Sequence, residues 1–371
     1  MQKSTRLISL DAFRGMAIAG MILVNSPGNF GAVYPQLKHA AWNGWTFADT
    51  IFPAFLFIVG VSLVLSIAGR VERGEAGPKL EAQIVRRTVI LFALGLFINS
   101  FPLFHLETLR IPGVLQRIAL CYFFTAIIVL KCRLRGRILW LAGLLVSYWV
   151  MMRFVPVPGV GAGVLEPGKN FAAYVDSLFL RGHMYSYYQT WDPEGLVSTL
   201  PAIATTLFGV LTGDFLRRPL SGPKKIISMA AAGLFLALAG TILAGWLPIN
   251  KNLWTSTFSI FMAGLSLTAF GALYGIMDVA GLSWWARPFV IFGTNAITVY
   301  VLSQVLDEAL RFIQLSLPNG YTLSCRSYLF RNYCVPIASP ETASLFFAVA
   351  YLFSIYLIAW AMWKKGIVIK I

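Results

Sequence analysis

The chain has 371 residues, of which 58% are hydrophobic and 12% charged, with a mean hydropathy of +0.72. A soluble domain carries about 25% charged residues, so this composition excludes one and points to a polytopic membrane protein. No CxxC or Cys/His spacing suggests a structural metal, and the net charge of +15 is distributed as a topology signal rather than as a nucleic-acid footprint.

Ten apolar stretches offer the roughly 17–25 residues that a membrane crossing needs. They run at about 8–26, 47–69, 83–101, 112–131, 137–155, 195–216, 225–247, 253–277, 286–310 and 342–363. With the N-terminus inside, 20 Lys and Arg fall on the cytoplasmic side and 9 outside, with Arg117 inside a span. The bias is sharpest in the short loops, where positive charge governs orientation. The first stretch is interrupted by Asp11 and Arg14 and lacks a convincing cleavage site, so it reads as a helix rather than a signal peptide. The expected fold is all-α: a single domain, 1–371, of about ten transmembrane helices, N-in and C-in. External lids are expected at about 156–194 and 311–341. A lipid bilayer is the implied surroundings.

Taken in chain order, the polar residues gather where external loops meet apolar helices. Span one carries Arg14 and ends at Asn25. The stretch Leu37–Phe57, LKHAAWNGWTFADTIFPAFLF, places His39, Trp42, Asn43 and Asp49 at the mouth of span two. Ionisable groups at membrane depth cost roughly 2.5–3.5 kcal/mol even on lenient scales, which makes them functional suspects. Asp49 is well placed as an N-cap, with Pro53 in the tolerant first turn. Arg110, Gln116 and Arg117 sit in RIPGVLQRIALCY; those inside the span must face a bundle interior or a cavity.

In the first lid, Tyr185, Tyr187, Tyr188 and Trp191 suit either stacking on a sugar ring or an interfacial belt. Span six opens with Asp192-Pro193-Glu194-Gly195, read as Asp cap, Pro at the first helical position and Glu near the positive dipole end. Lys251 and Asn252 lie in the turn before span eight, and Thr294-Asn295 within span nine. Arg14, Arg117 and the basic inner loops are candidates to contact an anionic ligand from the cytoplasm. For Asn295, helix–helix hydrogen bonding is an equally good reading. Cys325 and Cys334 share the last external loop and could pair in an oxidising compartment.

Of the three histidines, His105 and His183 lack polar neighbours in sequence comparable to those of His39. An imidazole takes a proton near neutral pH, and an adjacent carboxylate would orient it and raise its basicity. His39 is therefore the expected centre of the chemistry. Caps and interface anchors are the plainer explanation for Asp49, Asp192 and Glu194.

Six ordered blocks carry a family resemblance: SLDAFRGMAIAGMILVNSPG, LKHAAWNGWTFADTIFPAFLFIVGVS, RIPGVLQRIALCY, DPEGLVSTLPAIATTLFGVLTG, PINKNLWTSTF and FGTNAITVYVLS. They resemble the catalytic domain of heparan-α-glucosaminide N-acetyltransferase and its bacterial NagX-like and YeiB-like relatives. The chain starts directly at the LDAFRG block and so looks like the bare bacterial-type core, in an inner membrane. The resemblance implies acetyl transfer from acetyl-CoA to the amine of a terminal glucosamine, with no metal, and suggests a homodimer.

The family's active histidine falls on His39 in Lys38–Gly44, and its other blocks fall on Val24-Asn25, Arg110–Arg117, Asp192–Gly195 and Asn250–Trp254. The roles that follow are His39 as base or transient acetyl carrier, with Asn25 and Asp49 as catalytic partners. Asn43, Trp42, Asp192, Glu194, Lys251 and Asn252 would bind the amino sugar. Arg14, Arg110, Gln116, Arg117 and Asn295 would bind acetyl-CoA. The alternative is an amino-sugar transporter with the same groups at a midplane site, although no pair of matched helix breaks is visible in the sequence.

Overall fold

The computed structural model describes residues 7–72, 77–317 and 321–369. Of the cytoplasmic charges counted above, Lys3, Arg6, Arg73 and Lys370 lie outside the described residues, as do 318–320 of the second lid.

All ten expected spans are helical. They are α1 (Ile8–Asn25), α2 (Phe47–Glu72), α3 (Pro78–Ser100), α4 (Val114–Lys131) and α5 (Leu134–Phe154), then, after the short lid helix α6 (Phe171–Phe179), α7 (Thr199–Leu216), α8 (Gly222–Leu243) and α9 (Ser256–Tyr274). The ninth span is two helices, α10 (Arg287–Thr294) and α11 (Ala296–Phe312). The segment expected to be the second lid follows, with a hairpin of β1 (Gln314–Ser316) and β2 (Thr322–Ser324), Leu315 opposite Leu323, and a one-turn α12 (Cys325–Leu329). The last helix is α13 (Pro340–Lys364).

Among the described residues, eight helices are long and apolar enough to cross a membrane, and α10–α11 makes a ninth if counted as one span bent by 73°. The remaining expected span is α3, whose first half carries Lys79, Glu81, Arg86 and Arg87. The break at Asn295 was not legible in the apolar run. There the Asn295 amide turns to the chain's tail, donating to the Ile367 carbonyl at 2.8 Å and accepting from Ile369 N–H at 2.9 Å.

The bundle is centred on α2, which packs closely on α7 and α1. A Cβ on Gly60 would meet the Thr206 carbonyl at 1.9 Å, and one on Gly209 would meet the Phe57 carbonyl at 1.9 Å. Small residues let helix backbones approach where no hydrophobic force drives association. α5 and α8 lie outside, turning Leu139, Ile227 and Phe235 outward as a lipid-facing surface requires.

Two expected caps are corrected. Asp49 is the third residue of α2, not its cap, and Pro53 lies in the second turn, where it leaves the Asp49 carbonyl without its helical donor. α7 begins at Thr199 rather than at Asp192; the intervening residues form turns in which Asp192 and Leu196 are drawn to other partners. Cys325 and Cys334 are free thiols. Helical backbone runs between them and separates them by about 10–13 Å along its axis, beyond the roughly 4.4–6.8 Å between Cα atoms that a disulfide spans.

Candidate active site

The site forms where three loops meet over the N-terminal end of α2. Thr46 N–H and Oγ1–H donate to Asp49 Oδ2 at 2.9 and 3.1 Å, and Ala40 N–H reaches the same oxygen at 3.1 Å. This is one half of a capping box, in which the third helical residue reaches back to the residue before the helix, while the Thr46 hydroxyl also reaches the Lys38 carbonyl at 2.7 Å. It fixes the fully buried Asp49 with Oδ1 left to His39, whose Nδ1 lies 2.7 Å away. An ionised carboxylate only accepts, so the imidazole donates Nδ1–H and keeps its lone pair on Nε2.

Lys251 closes the cluster. Its Nζ is 3.0 Å from His39 Nε2, 3.1 Å from Nδ1 and 3.8 Å from Asp49 Oδ1. The turn that carries it is tied to the His39 loop: Asn250 Nδ2–H donates to Asn43 Oδ1 at 3.1 Å and Gly44 N–H donates to the Ile249 carbonyl at 2.8 Å. Gly44 adopts φ +98°, a left-handed conformation that a side chain would strain. The His39 side chain keeps 42% of its surface exposed, so a ligand can reach it. Burial by the surrounding protein and the Lys251 charge nevertheless hold its pKa below the ordinary imidazole value, against the opposing effect of the hydrogen bond it donates to Asp49. Burial likewise lowers the pKa of Lys251, although Asp49 and Glu194 work in the other direction.

A second cluster adjoins the first. Arg110 grips Asp192 with two bonds, Nε to Oδ2 at 2.8 Å and Nη2 to Oδ1 at 2.6 Å, and Nη2 also donates to Glu194 Oε2 at 2.5 Å. Burial opposes the charge on Arg110, but the hydrogen bond to Asp192 and the charge of Glu194 outweigh it and raise its pKa. Arg117, buried in α4, donates to the carbonyls of Pro193 and Gly195 at 2.9 and 3.1 Å and to Ser198 Oγ at 2.5 Å. From the other side Asp176 of α6 accepts from Leu196 N–H at 2.9 Å and Asp192 N–H at 3.3 Å. Burial pushes the Asp176 carboxyl up to about 6. Gly195 lies against that carboxylate, where a Cβ would come within 2.0 Å of Oδ2. The Asp192–Leu196 turn is thus clamped from both sides, and Glu194 is near enough to act electrostatically on His39 and Lys251.

The aromatic residues continue the wall. Trp42 donates its indole N–H to the Leu165 carbonyl at 3.0 Å and meets Trp191 edge-on at 5.2 Å; Trp191 stacks on Tyr188 at 4.1 Å. Asn25 and Asn252 are half-buried, and no hydrogen bond joins either to the cluster among the described residues. His105 is exposed, and His183 uses Nδ1 to bond the Leu109 carbonyl at 2.8 Å.

Toward the opposite end of the bundle lies a cavity of about 410 Å³, lined by Arg14, Ser62, Arg87, Tyr122 and Asn295 among others. Arg14 Nη2 donates to Ser62 Oγ at 2.6 Å, and Arg87 lies over the Tyr122 ring at 4.6 Å. Of the residues expected to hold the donor, Arg14 and Asn295 line this cavity. Arg110 and Arg117 are instead committed to the Asp192–Leu196 turn. Gln116 is buried against Gly95 and Gly113 and does not line the cavity, with Nε2 unpartnered among the described residues.

Sequence reasoning missed Asp176 and Ser62, and reached Asn250 and Arg87 only as members of a family block and of a basic inner loop. A lone carboxylate in the apolar stretch FAAYVDSLF was the one signal that could have flagged Asp176.

Fold and site together define a multi-pass helical membrane protein with a histidine–carboxylate–lysine cluster at one end of its bundle and a cationic cavity toward the other. A family profile described as heparan-alpha-glucosaminide N-acetyltransferase, catalytic, matches residues 6–222. The mouse (Mus musculus) protein named heparan-alpha-glucosaminide N-acetyltransferase is 33% identical over 364 residues, covering 83% of this chain and 55% of its own length. Its human (Homo sapiens) namesake is 32% identical over 362 residues, with coverages of 83% and 54%. The chain belongs to the heparan-alpha-glucosaminide N-acetyltransferase family, and it spans about half the length of the curated relatives it matches.

Proposed function

We propose that this protein moves an acetyl group from acetyl-CoA to the amine of glucosamine or a terminal glucosaminide. The observation that carries the reading is the His39–Asp49 pair at 2.7 Å, a base held in one tautomer by a carboxylate that three further donors fix in place. His39 Nε2 takes the proton as the acceptor nitrogen attacks the thioester carbonyl. Asn43, whose Oδ1 is held by Asn250, keeps its amide N–H groups to donate to the developing oxyanion, a type of contact worth about 3–4 kcal/mol in other enzymes. Nucleophilic attack by His39 itself, giving an acetyl-histidine, is the competing route. Glu194 and the Trp42–Trp191 wall supply charge and a stacking face for an amino sugar.

The cationic cavity is the site we assign to the donor: Arg14 and Arg87 would meet its phosphates, and the volume is within the usual range for small-ligand sites. Phe55 of the cavity wall lies six residues beyond Asp49 on α2, about 9 Å of helix rise, a gap that an extended thioester arm can cross. Positive loops at that end support a cytoplasmic mouth for the cavity, on the side where acetyl-CoA is made if the protein sits, as we propose, in a bacterial inner membrane. A single broken span among the described residues offers little support for an inverted-repeat transporter.

The test is purified protein with labelled acetyl-CoA and glucosamine. N-acetylglucosamine formation that disappears in His39→Ala, with acetyl-CoA binding retained, is the expected result. Near-normal turnover by that variant, or sugar flux into liposomes without any acetyl product, would overturn the reading.

A further inference from the structure

The amine nearest the base belongs to the protein itself. Lys251 Nζ lies 3.0 Å from His39 Nε2 and 3.1 Å from Nδ1, over the face of the ring and beside the in-plane lone pair that an incoming acceptor needs. With Nδ1–H given to Asp49, Nε2 is the ring atom able to accept, and a small swing of the Lys251 side chain from the ring face would bring its amine to the acceptor's place. Its hold there is slight. The nearest carboxylate oxygen, Asp49 Oδ1, is 3.8 Å away and is already bonded by His39. The Lys251 side chain is 16% exposed and confined, which keeps the amine beside the ring.

We propose that Lys251 is an acetylation site of the enzyme's own making: when no amino sugar occupies the site, the acetyl group goes to Lys251 Nζ. The inference rests on the acetyl-transfer reading above. A lysine amine and the 2-amine of glucosamine are the same functional group, and proximity to the reacting centre replaces a bimolecular encounter. The burial that lowers the lysine's pKa adds to the fraction present as free amine.

The step balances without another reactant. Nζ forms a bond to the acetyl carbonyl carbon, and the C–S bond of the thioester breaks. His39 Nε2 takes the proton released by the nitrogen, and the thiolate leaves and is protonated as free CoA. By the acetyl-histidine route the C–N bond to the imidazole breaks instead, after CoA has left. Either way the product is a neutral amide. It removes the positive charge beside His39, fills the acceptor's place and cannot be recharged by protonation. Acetyl-CoA without acceptor should therefore inactivate the enzyme progressively, and the amino sugar should protect by displacing Lys251.

The experiment incubates the full-length wild-type protein with carbon-13 acetyl-CoA alone, followed by peptide mass spectrometry. A parallel sample contains glucosamine. Lys169, exposed and paired with Glu166 at 2.8 Å, reports non-enzymatic acetylation. Labelling of Lys251 about tenfold or more faster than Lys169, as proximity predicts, suppressed by glucosamine and reduced to the Lys169 rate in His39→Ala, is the expected result. If glucosamine is acetylated while Lys251 stays unlabelled, or labels no faster than Lys169, or labels equally in His39→Ala, the inference is overturned and the transfer reading survives. If neither amine receives label, the transfer reading falls, and this inference with it.

Discussion

Replacing Asp49 with Asn isolates the tautomer that His39 needs. In the native site Asp49 Oδ2 accepts three donors, Ala40 N–H, Thr46 N–H and Thr46 Oγ1–H, while Oδ1 accepts from His39 Nδ1 at 2.7 Å. An asparagine has a single acceptor oxygen. Two backbone N–H groups outcompete one imidazole for it, so the amide NH2 turns toward His39 and Nδ1 must become the acceptor. The proton moves to Nε2, and the base loses its lone pair on the substrate side. In the Ser-His-Asp triad the same replacement lowers kcat by about 10⁴ through the wrong tautomer. A fall of about 10³–10⁴ is expected here, or roughly 4–5.5 kcal/mol of barrier. Helix capping is largely kept, because the amide oxygen still serves the N-terminal donors, so thermal unfolding should move little. The assay follows free CoA thiol and N-acetylglucosamine together, with melting in detergent as the fold control. An Asp49→Asn protein that melts like wild type and retains kcat within tenfold would refute the orientation argument.

Lys251→Met removes a positive charge that depresses the His39 pKa, so that pKa should rise. His39 works as a neutral base, and activity falls as pH drops through its pKa. The acid limb of kcat/KM in the variant should therefore lie at higher pH than in wild type, whereas Lys251→Arg should keep it low; an unmoved limb in Lys251→Met would count against the pairing. Arg110→Ala leaves Asp192 and Glu194 without their shared cation and should destabilise the fold by about 3–5 kcal/mol, as for other broken buried pairs; denaturation in detergent measures it. Ser62→Trp fills the cationic cavity and should raise the KM for acetyl-CoA about tenfold or more, with the KM for glucosamine little changed, since loss of fitted contacts costs about 1.4 kcal/mol per factor of ten. Initial rates over both substrates separate the two.

Much of the architecture was legible because apolar length is a local property. The helices fall within a few residues of the expected spans, and the one that falls below the others in apolarity, α3, carries Arg86 and Arg87. His39 and Asp49 were legible as a pair because ten residues and one turn separate them, so local chain geometry alone could bring them together. Lys251 and Glu194 could be named only as polar residues at other helix ends. Their distance from His39 depends on how α7 and α9 pack around α2.

Where the sequence misled, a local signal lost to a tertiary partner. The Asp-Pro-Glu-Gly run has the composition of a helix start, but Arg110 and Asp176 take up the groups that would have capped it. Asn295 sits in a continuous apolar run, yet bonds to the tail at Ile367 and Ile369 accompany a 73° break. By itself the amino-acid order determined that this chain must fold as helices in lipid, and which imidazole had a carboxylate within reach. Only the packed bundle decided that a lysine from a distant turn would share that imidazole and that the arginines would divide between turn and cavity. Hydrophobic periodicity acts over a few residues, whereas a charge buried in a low-dielectric interior must find its counterpart wherever the chain brings one.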